Sequence, residues 1–281
     1  MPTLPDQVID AHQHLWDPTR RDYPWMRGLP ELHRPILERD LGSATDGTEV
    51  SASIVVQATS SDDETDWLLE VAAQSALIVG VVGWVDLAQD GVGDRLAELK
   101  ARGALCGIRH QVEDETDPDW LTRPSVVGGL RAVAEAGLVY DLLIRRTAGA
   151  AAIAAAQQVP ELTFVVDHLA KPDIAGGEWD DWRDQLADLA ALPNVSCKLS
   201  GLLTEASPRW REEHLERYLL EAVDLFGAER CLFGSDWPVS LLRADYSEVI
   251  ALTDAATSRL SASERLKIFR DTAARLYRLP L

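Results

Sequence analysis

Two histidines separated by one residue lie at the end of the first apolar run of this chain. The run that starts at Val8 leads into His12-Gln13-His14. Because successive side chains of a strand point to opposite faces, we expect both imidazoles on one face, roughly 6–7 Å apart along the backbone. Such a pair is suited to a divalent metal ion, but it also occurs as two solvated histidines. The remaining ligands must therefore come from later in the chain.

A histidine ends the sixth apolar run and an aspartate ends the eighth, namely His168 and Asp236. With His12 and His14 they make three nitrogens and one oxygen, a set suited to one zinc-like ion with an open position. Such an ion polarises a carbonyl group and lowers the pKa of bound water towards ~7. Asp236 is then placed to act as the general base. The alternatives are structural histidines and an Asp236 that caps the turn at residues 234–238.

Other charged and aromatic residues near the strand ends are candidates for substrate contacts. Arg109 and His110 end the fourth apolar run and can bind or polarise a substrate, although Arg109 can equally form a salt bridge at the rim. The further candidates are two lysines suited to a carboxylate or hydroxyls and three tryptophans suited to an apolar or sugar-stacking wall, namely Lys171, Lys198, Trp16, Trp25 and Trp237. Each of these can instead be a rim charge or a core side chain.

Eight short apolar runs alternate with helix-compatible stretches, which is typical of parallel strands buried on both faces. The predicted strands are Val8–Asp10, Ser53–Gln57, Ile78–Val85, Cys106–His110, Leu138–Leu143, Thr163–His168, Val195–Ser200 and Cys231–Asp236. Eight βαβ units over 281 residues predict an α/β fold with a single domain, residues 1–281, closed as a (β/α)8 TIM barrel. A doubly wound open sheet is the alternative, and the lack of Gly-x-Gly-x-x-Gly after the first strand disfavours its dinucleotide-binding form.

Helices are expected between these strands. The predicted helices are Asp62–Ser75, Gly93–Ala101, Val126–Ala136, Ala148–Gln158, Trp179–Ala191, Pro208–Phe226, Asp245–Ser258 and Ser263–Tyr277. Residues 16–48 form a long connection that is rich in aromatic side chains. Since long loops in compact domains are usually functional or disordered, we expect this segment to cover the mouth of the site. The alternative is a satellite hydrophobic patch on the barrel wall.

The charge balance limits the partners. The formal net charge is −19, which repels polyanions and disfavours nucleic acid and anionic membrane surfaces. A neutral small-molecule substrate fits better, and a homo-oligomeric state stays open. No apolar stretch reaches the length of a membrane span, no secretory signal is visible, and the three cysteines are isolated. We therefore expect a cytoplasmic protein with buried free thiols.

Six motifs spread over nearly the whole chain carry a family resemblance. They are DAHQHLW at residues 10–16, YPW at 23–25, GIRH at 107–110, DHLAKP at 167–172, CKLSGL at 197–202 and FGSDWP at 233–238. Together they resemble the amidohydrolase superfamily, and within it the branch of sugar lactonases that includes L-fuconolactonases and L-rhamnonolactonases. The resemblance implies metal ligation by His12, His14, His168 and Asp236.

The chain departs from the two-metal pattern of the superfamily at two strands. Arg109 stands on the fourth strand in place of a bridging lysine or glutamate, and the fifth strand, Val139–Leu142, has no histidine. We therefore expect at most one divalent ion, with zinc as the first candidate. Some relatives in this branch work without any metal, so metal-independent catalysis is the alternative.

The resemblance implies a hydrolase that opens a small sugar lactone to the aldonic acid by attack of water on the lactone carbonyl. The catalytic candidates are Asp236, which takes the water proton, His168 and His110, while Arg109 orients the substrate. The histidines hold the ion or polarise the carbonyl directly. The alternatives are a metal-dependent decarboxylase of the same superfamily, which would release CO2, and a non-catalytic sugar-binding barrel, which would bind without turnover.

Overall fold

The eight strands form one parallel sheet whose order follows the chain. The computed structural model describes residues 4–280, apart from the side chains of residues 212 and 213. The strands are β1 Val8–Gln13, β2 Val50–Val56, β3 Ile78–Gly83, β4 Leu105–His110, β5 Val139–Leu142, β6 Thr163–Val166, β7 Val195–Leu199 and β8 Cys231–Phe233. A parallel bridge between Gln13 and Trp237 joins the two ends of the sheet. The (β/α)8 barrel prediction is thus confirmed.

Helices connect the strands and pack around them. The helices among the described residues are α1 Glu38–Thr45, α2 Asp62–Ala72, α3 Val92–Ala101, α4 Pro124–Glu135, α5 Gly149–Gln158, α6 Asp180–Ala190, α7 Leu202–Glu205, α8 Glu212–Phe226, α9 Tyr246–Ala256, α10 Ala262–Leu266 and α11 Thr272–Leu276. Helix α8 begins later than predicted because Ser207–Trp210 form a turn. A π-helical turn, Lys267–Asp271, interrupts the last predicted helix. No helix in the described part of the chain has the length and apolar character that a membrane span requires.

Six of the eight strands end earlier than predicted, and at β6 and β8 the difference bears on the site. Beyond β6, His168 and Leu169 both have φ 53°, Ala170 has φ 59° and Lys171 has φ 51°. Beyond β8, Asp236 has φ 55°. A left-handed conformation costs about 1–2 kcal/mol for each L-residue. Because tertiary packing must offset this cost, the pattern of apolar residues along the chain cannot predict it. These turns direct two of the predicted ligands away from the strand path.

The segment at residues 16–48 is held together by internal contacts and is joined to the loop after β2. Trp16 Nε1 donates a hydrogen bond to the Leu32 carbonyl at 3.0 Å, and Trp16 bridges Ile36 in an antiparallel pair. Trp25 Nε1 donates to the carbonyl of Ala58, in the loop after β2, at 2.8 Å. Helix α1 lies inside this segment, for which the sequence pattern predicts no secondary structure.

Glu64 in helix α2 holds the same loop and carries a pH prediction. Its Oε2 accepts hydrogen bonds from the backbone N–H groups of Ala58 at 2.8 Å and Thr59 at 2.9 Å. Burial raises the pKa of Glu64 from its ordinary 4.5 to about 7. As the pH rises, Glu64 therefore ionises at a lower pH in the unfolded chain than in the folded one. The stabilisation that protonated Glu64 gives the fold is complete below the unfolded pKa and is lost as the pH rises through the folded pKa. The total loss is about 3 kcal/mol.

We compare urea unfolding of the native chain and of Glu64→Gln at about pH 5 and about pH 8. We expect the free energy of unfolding of the native chain, relative to that of the variant, to be lower at about pH 8, because Glu64 is then ionised in a buried position. The buried neutral imidazoles act in the opposite direction in both chains, so their effect cancels in this comparison. In Glu64→Gln, which keeps an oxygen for the two backbone N–H groups, this contribution should vanish. An equally steep pH dependence in the variant would contradict the assignment.

Candidate active site

Four predicted ligands meet at the carboxyl end of the barrel. His12 Nε2 lies 3.2 Å from His14 Nε2. The Oδ1 atom of Asp236 lies 3.5 Å from His14 Nε2, 3.8 Å from His168 Nε2 and 3.9 Å from His12 Nε2. All four side chains are buried. Residues as far apart in the sequence as His12 and Asp236 thus bring three imidazole nitrogens around one carboxylate oxygen.

Hydrogen bonds at the far ring nitrogens orient two of the imidazoles. His14 Nδ1 lies 2.7 Å from the Val56 carbonyl oxygen, which can only accept, so Nδ1 carries the proton and Nε2 has a free lone pair. His168 Nδ1 contacts the Ser200 hydroxyl at 2.9 Å. Burial also lowers the pKa of His14 and brings that of His168 to about 4. Both rings are therefore neutral near pH 7.

Asp236 is ionised in this setting. Burial by itself raises the pKa of its carboxyl group, but the neighbouring imidazoles of His168, His14 and His12 outweigh burial. The net result is a pKa well below the usual range. The carboxylate is held in place by its backbone, because the Asp236 N–H donates to the His12 carbonyl at 2.8 Å.

The donor set fits one divalent metal ion. In a tetrahedral site with bonds of 2.0–2.1 Å, neighbouring ligand atoms lie about 3.4 Å apart. The separations of 3.2–3.9 Å agree with this value, and the ligand atoms of His12, His168 and Asp236 all lie within 4.8 Å of one another. The lone pairs of these nitrogen and oxygen atoms repel each other at this distance, and a cation between them would replace the repulsion by attraction.

Arg109 reaches the same cluster from β4. Its Nη1 lies 3.3 Å from His12 Nε2 and donates to Asp167 Oδ2 at 3.1 Å. Its Nε donates to Gln57 Oε1 at 2.9 Å, and its Nη2 donates to the Gln57 carbonyl. Arg109 is thus a buried cation with a fixed orientation beside the histidines.

An open cavity of about 550 Å3 lies above the cluster, within the range of small-molecule sites. Of the predicted site residues, the lining contains His14, Trp25, Arg109, His168, Lys171 and Asp236. Lys171 Nζ is paired with Glu113 Oε1 at 2.6 Å. The polar lining also includes Gln111, Glu113, Asp114 and Thr204, and its apolar part includes Leu143 and Val239.

The structure places the other predicted site residues apart from this lining. Trp16 is fully buried in the covering segment, and Trp237 is buried against Tyr246. His12 and Lys198 lie beneath the cavity floor, each with no exposed surface.

His110 also lies outside the lining. It accepts a hydrogen bond from Trp84 Nε1 at 3.0 Å, contacts Glu115 Oε1 through Nε2 at 2.8 Å and stacks on Trp120. Both of its ring nitrogens are therefore engaged within the protein.

Several buried polar residues that support the ligands were not predicted as site residues. Asp167 contacts both Arg109 and His12, and Asp141 pairs with Lys198. Each lies in or directly after an apolar strand, and a carboxylate in that position must be paired. A charge inside a buried strand was the available signal.

Comparison with known proteins identifies the family. The family model Amidohydro_2, described as Amidohydrolase, matches residues 9–279. The chain belongs to the amidohydrolase family. An L-fucono-1,5-lactonase from Burkholderia multivorans is 42% identical to this amidohydrolase over 97% of the chain and 96% of its own length. An L-fucono-1,5-lactonase from Burkholderia ambifaria is 36% identical over 96% of the chain and 95% of its own length.

A solved structure is similar over the same extent. It is an amidohydrolase from Burkholderia multivorans with bound zinc, 41% identical, with a TM-score of 0.92, and the match covers 98% of this chain and 100% of that one. Among relatives of this amidohydrolase, a metal-containing barrel of the same form therefore exists.

Gly201 controls the position of His168. It has φ 68° at the start of α7, and a Cβ atom there would lie 2.3 Å from His168 Nδ1. We expect Gly201→Ala to displace the imidazole and lower kcat/KM by about 10²-fold, since a shift of 1 Å can have that effect.

A matched control separates the two effects of this substitution. Gly91 has φ 84° at the start of α3, with nothing within 4 Å of its Cβ position. Gly91→Ala introduces the same backbone strain without touching the site, so kcat/KM should stay unchanged. Equal losses of activity in the two variants would contradict the role of Gly201.

Proposed function

We propose that this amidohydrolase hydrolyses a small, neutral sugar lactone to its aldonic acid. The observation that carries the proposal is the carboxyl group of Asp236, whose Oδ1 lies 3.5–3.9 Å from the Nε2 atoms of three imidazoles at the floor of an open cavity. The similarity to two L-fucono-1,5-lactonases over nearly the full chain supports this reaction and substrate class.

The centre is suited to hold one divalent ion, and zinc is our first candidate. His12, His14 and His168 would bind it through Nε2 and Asp236 through Oδ1. When bound, zinc acts as a Lewis acid towards a carbonyl oxygen and lowers the pKa of water. The zinc in the similar solved structure supports this assignment.

Asp236 acts as the base in the proposed reaction. Its carboxylate accepts a proton from water as the water oxygen forms a bond to the lactone carbonyl carbon. The ring C–O bond then breaks, and the proton on Asp236 passes to the departing ring oxygen, which becomes a hydroxyl group. The Asp236 carboxylate is thereby restored, and the former lactone carbonyl carbon is now the carboxylic acid carbon of the product.

Arg109 and the cavity walls orient the lactone. The Arg109 guanidinium is preorganised by Gln57 and Asp167, and a fixed cation beside the reacting carbonyl stabilises developing negative charge. At the cavity wall, Lys171 binds hydroxyl groups of the sugar and Trp25 packs against the sugar ring. Residues 16–48 cover the mouth of the cavity. The net charge of −19 suits a neutral substrate and repels the anionic product.

Hydrolysis of sugar lactones in 18O-labelled water tests the proposal. We expect acid release above the spontaneous rate with one labelled oxygen in the product carboxylate, because water attacks the acyl carbon. Release of CO2 from a carboxylated substrate without lactone opening would favour a decarboxylase. Lactone binding without turnover would favour a sugar-binding barrel.

Metal removal gives a further prediction. We expect dialysis against a chelator to lower kcat/KM by about 10²-fold or more. Without the ion that polarises the carbonyl, the transition state loses several kcal/mol of stabilisation. Added zinc should restore the activity, and metal analysis should follow the same course. Full activity in protein shown to be metal-free would support polarisation by the protein alone.

A further inference from the structure

A second group of potential metal ligands lies directly beneath the first. His12, Asp141 and Asp167 present ligand atoms within 4.8 Å of one another, and all three residues are buried. They come from β1, β5 and the end of β6. Carboxylate and imidazole groups are ligands that divalent ions accept. We call this set the lower cluster.

A lysine ammonium fills the lower cluster. Lys198 Nζ lies 3.1 Å from His12 Nδ1 and 3.0 Å from Asp167 Oδ1, and it donates to Asp141 Oδ2. The lysine has no exposed surface. His12 Nδ1 lies 3.2 Å from Asp167 Oδ1, so its proton is donated to this carboxylate and Nε2 keeps a free lone pair. The two carboxylates thus hold the ammonium group in the place that an ion would take, and a metal ion there would displace the Nδ1 proton to complete its ligands.

The remaining oxygens of the lower cluster are also engaged. Tyr277 donates its hydroxyl proton to Asp141 Oδ1 at 2.7 Å, and Arg109 Nη1 donates to Asp167 Oδ2 at 3.1 Å. The ligand set is therefore complete with Lys198 in place. A buried pair of carboxylates without such a cation would be strongly destabilising.

His12 belongs to both groups, because Nδ1 faces Lys198 and Nε2 faces His14 and Asp236. The charges of the two groups are shared as well. Two buried cations, Arg109 and Lys198, balance two of the three carboxylates in the two groups, which are those of Asp141, Asp167 and Asp236. One divalent ion then brings the net charge of the two groups together to +1. A second divalent ion would add two further positive charges in a low-dielectric interior.

We propose that Lys198 is a built-in cation that occupies the lower cluster and limits the centre to one divalent ion. Through Asp167, which it shares with His12 Nδ1, it also positions His12 with Nε2 towards the cavity. The number of one divalent ion rests on the metal site proposed above. Lys198 thus acts through His12 and is a positioning residue, in contrast to the substrate contact expected from the sequence.

Zinc analysis of purified, gel-filtered protein tests this inference. We compare the native chain with Lys198→Ala and with the double variant Lys198→Ala/Asp141→Asn, which removes the cation together with one carboxylate. We expect Lys198→Ala to retain one more zinc ion per chain than the native protein, and its melting temperature to rise more with added zinc. The double variant should retain the native count, because the lower cluster has lost a ligand.

The outcomes separate this inference from the metal assignment above. A native chain without zinc would contradict the proposed catalytic metal, yet a gain of one ion in Lys198→Ala would still support the inference. It is overturned if folded Lys198→Ala retains the native count, if the double variant gains the same ion, or if Lys198→Ala stays unfolded at every zinc concentration while the double variant folds.

Discussion

Asp236→Asn is expected to lower kcat/KM for sugar lactones by about 10³-fold, within the range that a general base contributes. The amide cannot accept the water proton, and it offers a weaker oxygen to a metal ion. The loss should appear in kcat more than in KM, because the carboxylate acts on the reacting water, while the cavity walls bind the sugar. Steady-state assays over a range of lactone concentrations measure both parameters.

The fold should survive this substitution. The backbone N–H of residue 236 still donates to the His12 carbonyl, and the neighbouring imidazoles are neutral near pH 7, so no charge is left without its partner. We expect circular dichroism and the melting temperature to stay close to those of the native chain. Undiminished turnover in this variant would exclude Asp236 as the base.

Asp10→Asn is expected to lower the free energy of unfolding by about 4 kcal/mol, the cost of leaving two buried donors without an acceptor. Asp10 Oδ1 accepts from the N–H groups of His12 at 3.0 Å and Ser235 at 2.9 Å. Oδ2 accepts from the Ser235 hydroxyl at 2.6 Å and the Tyr246 hydroxyl at 2.7 Å. Two of these bonds join β1 to the loop after β8, where the barrel closes, one joins β1 to α9, and one lies within β1.

The cost arises because an asparagine side chain must place an NH2 group against two of these donors. Denaturant unfolding measures it, and Tyr246→Phe is the matched control. That variant removes one donor and leaves the carboxylate with three, so we expect a loss of about 1.5–3 kcal/mol. A loss for Asp10→Asn no greater than for Tyr246→Phe would show that Asp10 does not join the two strands.

The barrel itself was predictable from local patterns. Short apolar runs at regular intervals predict parallel strands, and residues at their carboxyl ends are brought together by the closure of the sheet. For this reason His12, His14, His168 and Asp236 could be grouped before any coordinates were considered. Their grouping depends only on strand order, which follows the chain.

Other features depend on contacts that no local pattern encodes. Whether Lys198 faces the cavity or the barrel interior is decided by Asp141, 57 residues earlier, and by Asp167. His110 ends a strand like the other candidates, but Trp84 and Glu115 engage both of its nitrogens. The left-handed turn at residues 168–171 is likewise a tertiary feature, since its backbone strain must be offset by packing.

The lactonase function is tested most directly by the initial rate of acid release from L-fucono-1,5-lactone by the purified chain with its bound metal, corrected for spontaneous hydrolysis. We expect enzymatic release that falls by about 10³-fold in Asp236→Asn. Acid release no faster than the spontaneous rate, for this lactone and for other neutral sugar lactones, would contradict it.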